Sequence, residues 1–159
     1  MSFNEYKDYW DNGNIKMFYK FQDGEKDGEQ LEYDVNGKLQ YRYNYKNGER
    51  DGMATGYYPD SGFKKFQKHY KMGERHGKSI AWFPSGEMHY ELEYYDAKRH
   101  GKHTSYRIDG SKQYESNYLN GKRHGCYYEW DGQGNLKVEK DFFLGQRCYY
   151  KNYTLKIEC

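Results

Sequence analysis

The residues best suited to chemistry in this 159-residue chain recur at a fixed spacing. His76, His100 and His124 stand 24 residues apart, each between an arginine and a glycine. Imidazole binds metal ions and changes charge near neutral pH, so the series could form a metal site or a pH sensor. Loops on neighbouring β-hairpins lie about 10 Å apart, however, which is too far for two such histidines to share a metal ion. We therefore expect solvated turn residues here and no metal site.

A basic residue recurs in all six repeats, and in the first five it stands two positions before a glycine. We call this set the basic row: Lys26, Arg50, Arg75, Arg99, Arg123 and Arg147. Such a row could bind phosphates, lipid head groups or an acidic partner. Alternatively, each base pairs with a neighbouring acid such as Glu25, Glu49 or Glu74 and keeps a sheet edge soluble. Lys and Arg number 26 against 24 acids, a balance that argues against a nucleic-acid-binding protein.

Catalytic and targeting signals are not found in the sequence. There is no Gly-x-Ser-x-Gly elbow, His-Glu-x-x-His motif, P-loop or dinucleotide fingerprint, so we expect no enzyme activity and no cofactor. Cys126, Cys148 and Cys159 lack a C-x-x-C pair and are expected to be reduced thiols. No apolar run approaches the length of a membrane span and the N-terminus has no signal segment, which predicts a cytoplasmic protein.

Three series of glycines divide the chain into repeats. The first, which we call the anchor glycines, has spacings of 24 or 25 residues: Gly13, Gly37, Gly62, Gly86, Gly110 and Gly134. A second series follows each anchor by 11 residues, with Ala97 in place of the fourth glycine, and a third lies four residues after the second. Apolar and aromatic residues alternate with polar ones after each anchor, as Met88, Tyr90, Leu92 and Tyr94 do. This period of two predicts a half-buried strand in every repeat.

The fold follows from these repeats. Across each anchor turn, the strand before the glycine and the strand after it are expected to pair as a hairpin. Six hairpins of about 24 residues then form an elongated, single-layer antiparallel sheet, an all-β repeat fold. The sequence has 21 Tyr, 8 Phe and 3 Trp, so the face of the sheet is aromatic rather than aliphatic.

The segment Tyr33–Gly52, "YDVNGKLQYRYNYKNGERDG", resembles the MORN repeat. The likeness is to its variant form in bacterial and viral proteins, which includes YwqK-type antitoxins, and it covers about residues 9–147. It implies a grooved, single-layer sheet used for scaffolding, self-association or partner binding, with lipid binding proposed for some members. An antitoxin-like protein would use the same surface to bind a toxin.

Three details qualify this repeat. Ala97 is expected to alter its turn, because a positive φ is costly for alanine. The extra residue between Gly52 and Gly62 predicts a bulge in the strand "MATGYYPD". Tyr153, Leu155 and Ile157 alternate with polar residues and predict a capping strand at about residues 149–159, which closes a single domain over residues 1–159.

The aromatic face is the preferred binding site, because exposed apolar patches rich in Tyr and Trp commonly mark interfaces. Its candidate residues are Tyr45, Tyr58, Tyr70, Trp82, Tyr94, Tyr106, Tyr118 and Trp130. We expect a protein partner or a second copy of the chain, with little dependence on the charges of the basic row. Peripheral membrane binding through the basic row is a further, weaker hypothesis.

Overall fold

The computed structural model describes residues 4–153. These residues form fourteen β-strands, which confirms the all-β prediction. The strands are β1 (Asn4–Tyr9), β2 (Ile15–Gln22), β3 (Glu25–Tyr33), β4 (Leu39–Lys46), β5 (Glu49–Arg50), β6 (Gly52–Tyr57), β7 (Lys64–Lys71), β8 (Glu74–Trp82), β9 (Met88–Tyr95), β10 (Lys98–Tyr106), β11 (Lys112–Leu119), β12 (Lys122–Trp130), β13 (Leu136–Phe143) and β14 (Gln146–Asn152).

All the strands belong to one open antiparallel sheet in which each strand pairs with its sequence neighbours. The short strand β5 pairs with β4 and lies off the continuous path, which passes from β4 to β6. This order is the predicted array of tandem hairpins. No helix long enough and apolar enough to cross a membrane occurs between residues 4 and 153.

Two kinds of turn alternate along the sheet. At the anchor glycines, a hydrogen bond closes the turn: the amide of one residue donates to the carbonyl of the residue four positions later. The Asp34 amide, for example, donates to the Lys38 carbonyl at 2.9 Å. The second glycine series forms two-residue turns in which both residues have positive φ, for example Asn120 at 49° and Gly121 at 84°. These are the angles of a type I′ turn, which matches the twist of the strands it joins.

Ala97 keeps this turn, contrary to expectation. Asp96 and Ala97 have φ of 45° and 59°, so the backbone follows the same path as in the other repeats. The Ala97 amide also donates to the Arg75 carbonyl at 3.0 Å, just as the Gly121 amide donates to the Arg99 carbonyl at 2.8 Å. This bond to the preceding repeat holds the alanine in an unfavourable conformation.

The extra residue between Gly52 and Gly62 lies in the turn, so the prediction of an added strand bulge is wrong. Tyr58 donates its amide to the Phe63 carbonyl, five residues later, where the other anchor turns span four. The register shift at Gly56/Tyr57 is common to the repeats, as shown by Ala81/Trp82 in β8. A surface turn absorbs an added residue more easily than a paired strand does.

The third glycine series lies within strands and produces bulges. Arg99 pairs with Tyr94 and His103 with Leu92, so β10 takes four steps where β9 takes two. The extra residues surround Gly101, whose φ is 72°. A glycine tolerates this angle without a side-chain clash, which explains its recurrence at the same point of each repeat.

The sheet has no second layer within residues 4–153, and its two faces differ. Cross-strand partners share a face, which places Tyr90, Leu92 and Tyr94 together with Ser79, Ala81 and their equivalents on one side, the ring face. The opposite side, the back face, carries Glu91, Glu93, Tyr95 and their equivalents. The buried apolar residues Ala54, Ala81, Leu92, Tyr127 and Val138 all lie on the ring face, which is therefore the core of the protein.

The last described strand, β14, pairs with β13. The Tyr153 amide continues this pairing through a bond to the Lys137 carbonyl at 2.9 Å. The predicted capping strand at about residues 149–159 shares its first residues with β14, while Leu155 and Ile157 lie outside the described residues.

The turn at Ala97 provides a test of this geometry. Replacing Ala97 by Gly should raise the free energy of unfolding by about 1 kcal/mol, because the backbone strain outweighs the extra freedom of glycine in the unfolded chain. Urea-induced unfolding followed by circular dichroism measures the change.

The matched control is Gly121→Ala, which introduces the same strain one repeat later. An added Cβ there lies 3.8 Å from its nearest side-chain atom, so no clash complicates the result. A loss of about 1 kcal/mol is expected. A neutral or destabilising Ala97→Gly change would contradict the turn geometry.

Candidate partner-binding face

The basic row lies on the ring face, in contact with its aromatic side chains. Five of its members lie over a ring on the following strand, with cation-to-centroid distances of 5.1 to 5.6 Å: Lys26 over Tyr45, Arg50 over Tyr70, Arg75 over Tyr94, Arg99 over Tyr118 and Arg123 over Phe142. Distances below about 6 Å are favourable for cation–π attraction. We call this series the cation–ring ladder.

The ladder is reinforced by hydrogen bonds. The Arg75 guanidinium donates to the Tyr94 hydroxyl at 3.0 Å, and Arg99 donates to the Tyr118 hydroxyl at 3.4 Å. Burial opposes ionisation of Tyr118, but hydrogen bonds from Arg123 and Arg99 outweigh it and lower the pKa of the phenol. The rings and guanidinium groups therefore hold one another in place.

Two backbone features position the ladder. Because of the bulge at each third-series glycine, the carbonyl of the basic residue is not used in regular strand pairing. It accepts a hydrogen bond from the two-residue turn of the next repeat instead, as the Arg123 carbonyl does from the Gly145 amide at 2.7 Å. This bond fixes the backbone of each basic residue beside the strand that carries its ring. The ladder therefore has the same period as the glycines.

The predicted pairing of the basic row with local acids is wrong. Glu25, Glu49 and Glu74 immediately precede basic residues in their strands or turns, and adjacent strand residues point to opposite faces. In the strand register, Glu49 and Glu74 lie opposite Lys46 and Lys71 on the back face. Within residues 4–153, no member of the basic row has a carboxylate oxygen within 4 Å.

The histidine series lies on the back face, and its prediction as solvated turn residues is wrong. His76, His100 and His124 belong to β8, β10 and β12 and are half-buried. The rings of His76 and His100 both contact Tyr95, at 5.1 and 5.9 Å. No group of three potential metal ligands occurs in the described part of the chain.

The candidate rings form two rows at opposite ends of the strands. Tyr45, Tyr70, Tyr94 and Tyr118 lie near the two-residue turns, where the basic row is, while Tyr58, Trp82, Tyr106 and Trp130 lie at the anchor turns. All eight are half-buried. In the second row the partners are different: Tyr58 donates its hydroxyl to the Trp82 carbonyl at 2.9 Å, and Lys112 lies 5.6 Å from the Trp130 ring. The structure thus does not bring the two rows together.

Charges are sorted between the two faces. From β5 to β11, the charged residues that the strand register places on the ring face are all basic, including Lys68, Arg75 and Arg99. Glu91, Glu93 and Glu115 occupy the back face of the same strands. Burial and the neighbouring Arg75 and Arg50 lower the pKa of Lys68, as expected beside other cations.

The repeat is recognised by comparison with known families. The family model of the MORN repeat variant matches residues 26–47 and 75–96. The two matches begin 49 residues apart, the spacing of two repeats in this chain, and each runs from a member of the basic row into the next two-residue turn. These two segments match the MORN repeat, and the other repeats of the chain share their glycine spacing. MORN repeats commonly mediate protein or membrane interactions and are typically not enzymes. A search of curated proteins finds no match to the chain.

The centre of the ring face contains a buried histidine that the sequence pattern does not reveal. His103 is only 6% exposed and lies between the rings of Tyr90, Tyr114 and Tyr118. Its Nε2 is 3.3 Å from the Tyr114 hydroxyl. Burial, together with the positive charges of Arg99 and Arg123, lowers the pKa of His103 to about 4.

This shift predicts acid sensitivity. The unfolded chain protonates His103 near pH 6.5 and the folded chain only near pH 4. The free energy of unfolding should therefore fall as the pH drops through this window, by about 2 kcal/mol at pH 5 relative to pH 7. His103→Gln should reduce that loss in urea unfolding measured at pH 7, 6 and 5, since glutamine stays neutral.

His69→Gln is the control, because His69 is an exposed histidine on β7, three strands away from His103. It should retain the pH dependence of the unmodified chain. An undiminished pH dependence in His103→Gln would show that His103 is not the group responsible.

Proposed function

We propose that this MORN-repeat chain is a non-enzymatic cytoplasmic binding module whose ring face engages a protein partner. The main support for the proposal is that the cation–ring ladder and the partly exposed tyrosine rings lie on the same face of a single-layer sheet. Tyr and Arg are the residues that dominate protein interfaces energetically, and here they alternate along the same row.

The preordered side chains favour binding. Side chains that are already held by ring contacts lose less conformational entropy when a partner binds than free arginine chains do. The ladder also extends across most of the sheet, from β3 to β13. A partner would therefore make repeated, equivalent contacts along its length.

Matched variants on the two faces test the proposal. The ring-face variant is Tyr94→Ala/Tyr118→Ala, and the back-face control is Tyr95→Ala/Phe143→Ala, whose side chains are 55% and 62% exposed. Each protein is first checked for folding by circular dichroism and then used to capture partners from lysate of the source cell, together with an untagged copy of the chain.

We expect the unmodified chain and the control to capture the same stoichiometric partner. The ring-face variant should bind it at least about 30-fold more weakly, which corresponds to about 2 kcal/mol and is typical of interface hot spots. Undiminished binding by a folded ring-face variant, or equal loss in the back-face control, would contradict the proposal. If the captured partner is a toxin, rescue of growth on co-expression would define an antitoxin role.

A further inference from the structure

The arginines of the ring face have N–H donors that make no hydrogen bond to the phenols beside them. A guanidinium has five N–H donors, and the phenol contacts of Arg75 and Arg99 use only some of them. No carboxylate of residues 4–153 lies within 4 Å of Arg75, Arg99 or Arg123. Because the acids of β5 to β11 lie on the back face, an anionic partner can pair with Arg75 and Arg99 without competing with carboxylates of these strands.

The spacing of these donors limits the shape of the partner. Arg75, Arg99 and Arg123 belong to β8, β10 and β12, so each is two strands from the next. Neighbouring strands are about 4.8 Å apart, which sets a repeat of about 10 Å along the row. In a polyproline II segment, every third residue recurs after about 9.3 Å on the same side. Alternate residues of a β-strand recur after only about 6.7 Å and do not match.

The rings that lie between the arginines can contact the residues that separate the acidic residues of a bound peptide. Tyr94 and Tyr118 lie between successive arginines of the row and present half-buried phenols to the same face. Proline-rich polyproline II segments dock on aromatic surfaces of this kind and lose little entropy on binding, because they are already extended. The phenol hydroxyls are also available to donate to a carboxylate.

We propose that the ring face binds an extended acidic peptide segment in polyproline II conformation, with a carboxylate at every third residue. Arg75, Arg99 and Arg123 bind successive carboxylates, and the rings of Tyr94 and Tyr118 contact the residues between them. This inference rests on the proposed function, because it uses the same face, and it adds the chemistry and periodicity of the partner.

Synthetic peptides test the periodicity. The probe is a fluorescein-labelled peptide of five consecutive Glu-Pro-Pro triplets, and the matched probe is a block peptide in which all the glutamates precede all the prolines, with the same composition and charge. Fluorescence anisotropy with the full chain at low and at physiological salt should show at least about 10-fold tighter binding of the periodic peptide, since only it can reach three arginines at once. Equal affinity for the two peptides would overturn the proposal.

Variants of the row test the residues. Arg99→Gln/Arg123→Gln should weaken binding of the periodic peptide at least about 10-fold, and Arg99→Lys/Arg123→Lys should weaken it less, because lysine keeps the charge but not the bidentate geometry. The control is Lys78→Gln/Lys102→Gln on the back face. A control that weakens binding as much as the arginine variants would show that net charge, not the row, binds the peptide.

Other anionic ligands are included as competitors. Tighter binding of an oligo-dT of about the same length or of vesicles containing phosphatidylserine would identify a phosphate ligand and overturn the peptide proposal. Absence of peptide binding, while a protein partner is still captured through Tyr94 and Tyr118, would overturn this inference and leave the proposed function intact. Loss of both would show that the ring face is not a binding surface.

Discussion

A single-layer sheet has to cover its aromatic face with its own side chains, and the cation–ring ladder is how this chain does so. Five of the six basic residues lie over a ring of the following strand, and the carbonyl of each accepts the amide of the next two-residue turn. The side-chain contact and the backbone bond therefore join the same pair of repeats. Without a second layer, contacts between neighbouring repeats are the source of stability, as in other repeat proteins.

The sequence reveals the architecture because its signals are local and repeated. Alternation such as Tyr90, Leu92 and Tyr94 fits a half-buried strand and not a helix, and the anchor glycines mark a turn in every repeat. The type I′ turns and the antiparallel order follow from the same signals. These features depend on residues that are close in sequence, so no long-range information is required.

The site is less predictable because it depends on bulges. The glycine after His100 reads as a turn residue, whereas Gly101 lies within β10 and adds two residues to that strand. Because the added residues number two, the alternation continues through the bulge and keeps Arg99 and His103 on the ring face and His100 on the back face. The burial of His103 also escapes the pattern, since it results from rings on the strands beside it. The extra residue near Pro59 is another example. The sequence shows that one residue is added, but only the backbone hydrogen bonds show that the turn, and not the strand, contains it.

The separation of charge between the faces gives the protein two different surfaces. The back face carries both bases and acids, and some of them form ion pairs, as Lys102 does with Glu115 at 2.9 Å. The ring face combines cations and phenols and lacks acids over its central strands. The cations of the ring face lie over its rings, and the proposal of an anionic partner rests on this separation of charge.

The most direct test of the ladder is a double-mutant cycle on Arg75 and Tyr94, using Arg75→Met, Tyr94→Leu and the combined variant. The free energies of unfolding should give a coupling of about 0.5–1.5 kcal/mol, the range expected for a guanidinium held over a ring with a hydrogen bond to its hydroxyl. A coupling that is zero within error would show that the two side chains are neighbours without mutual stabilisation, and that the ladder does not hold the ring face together.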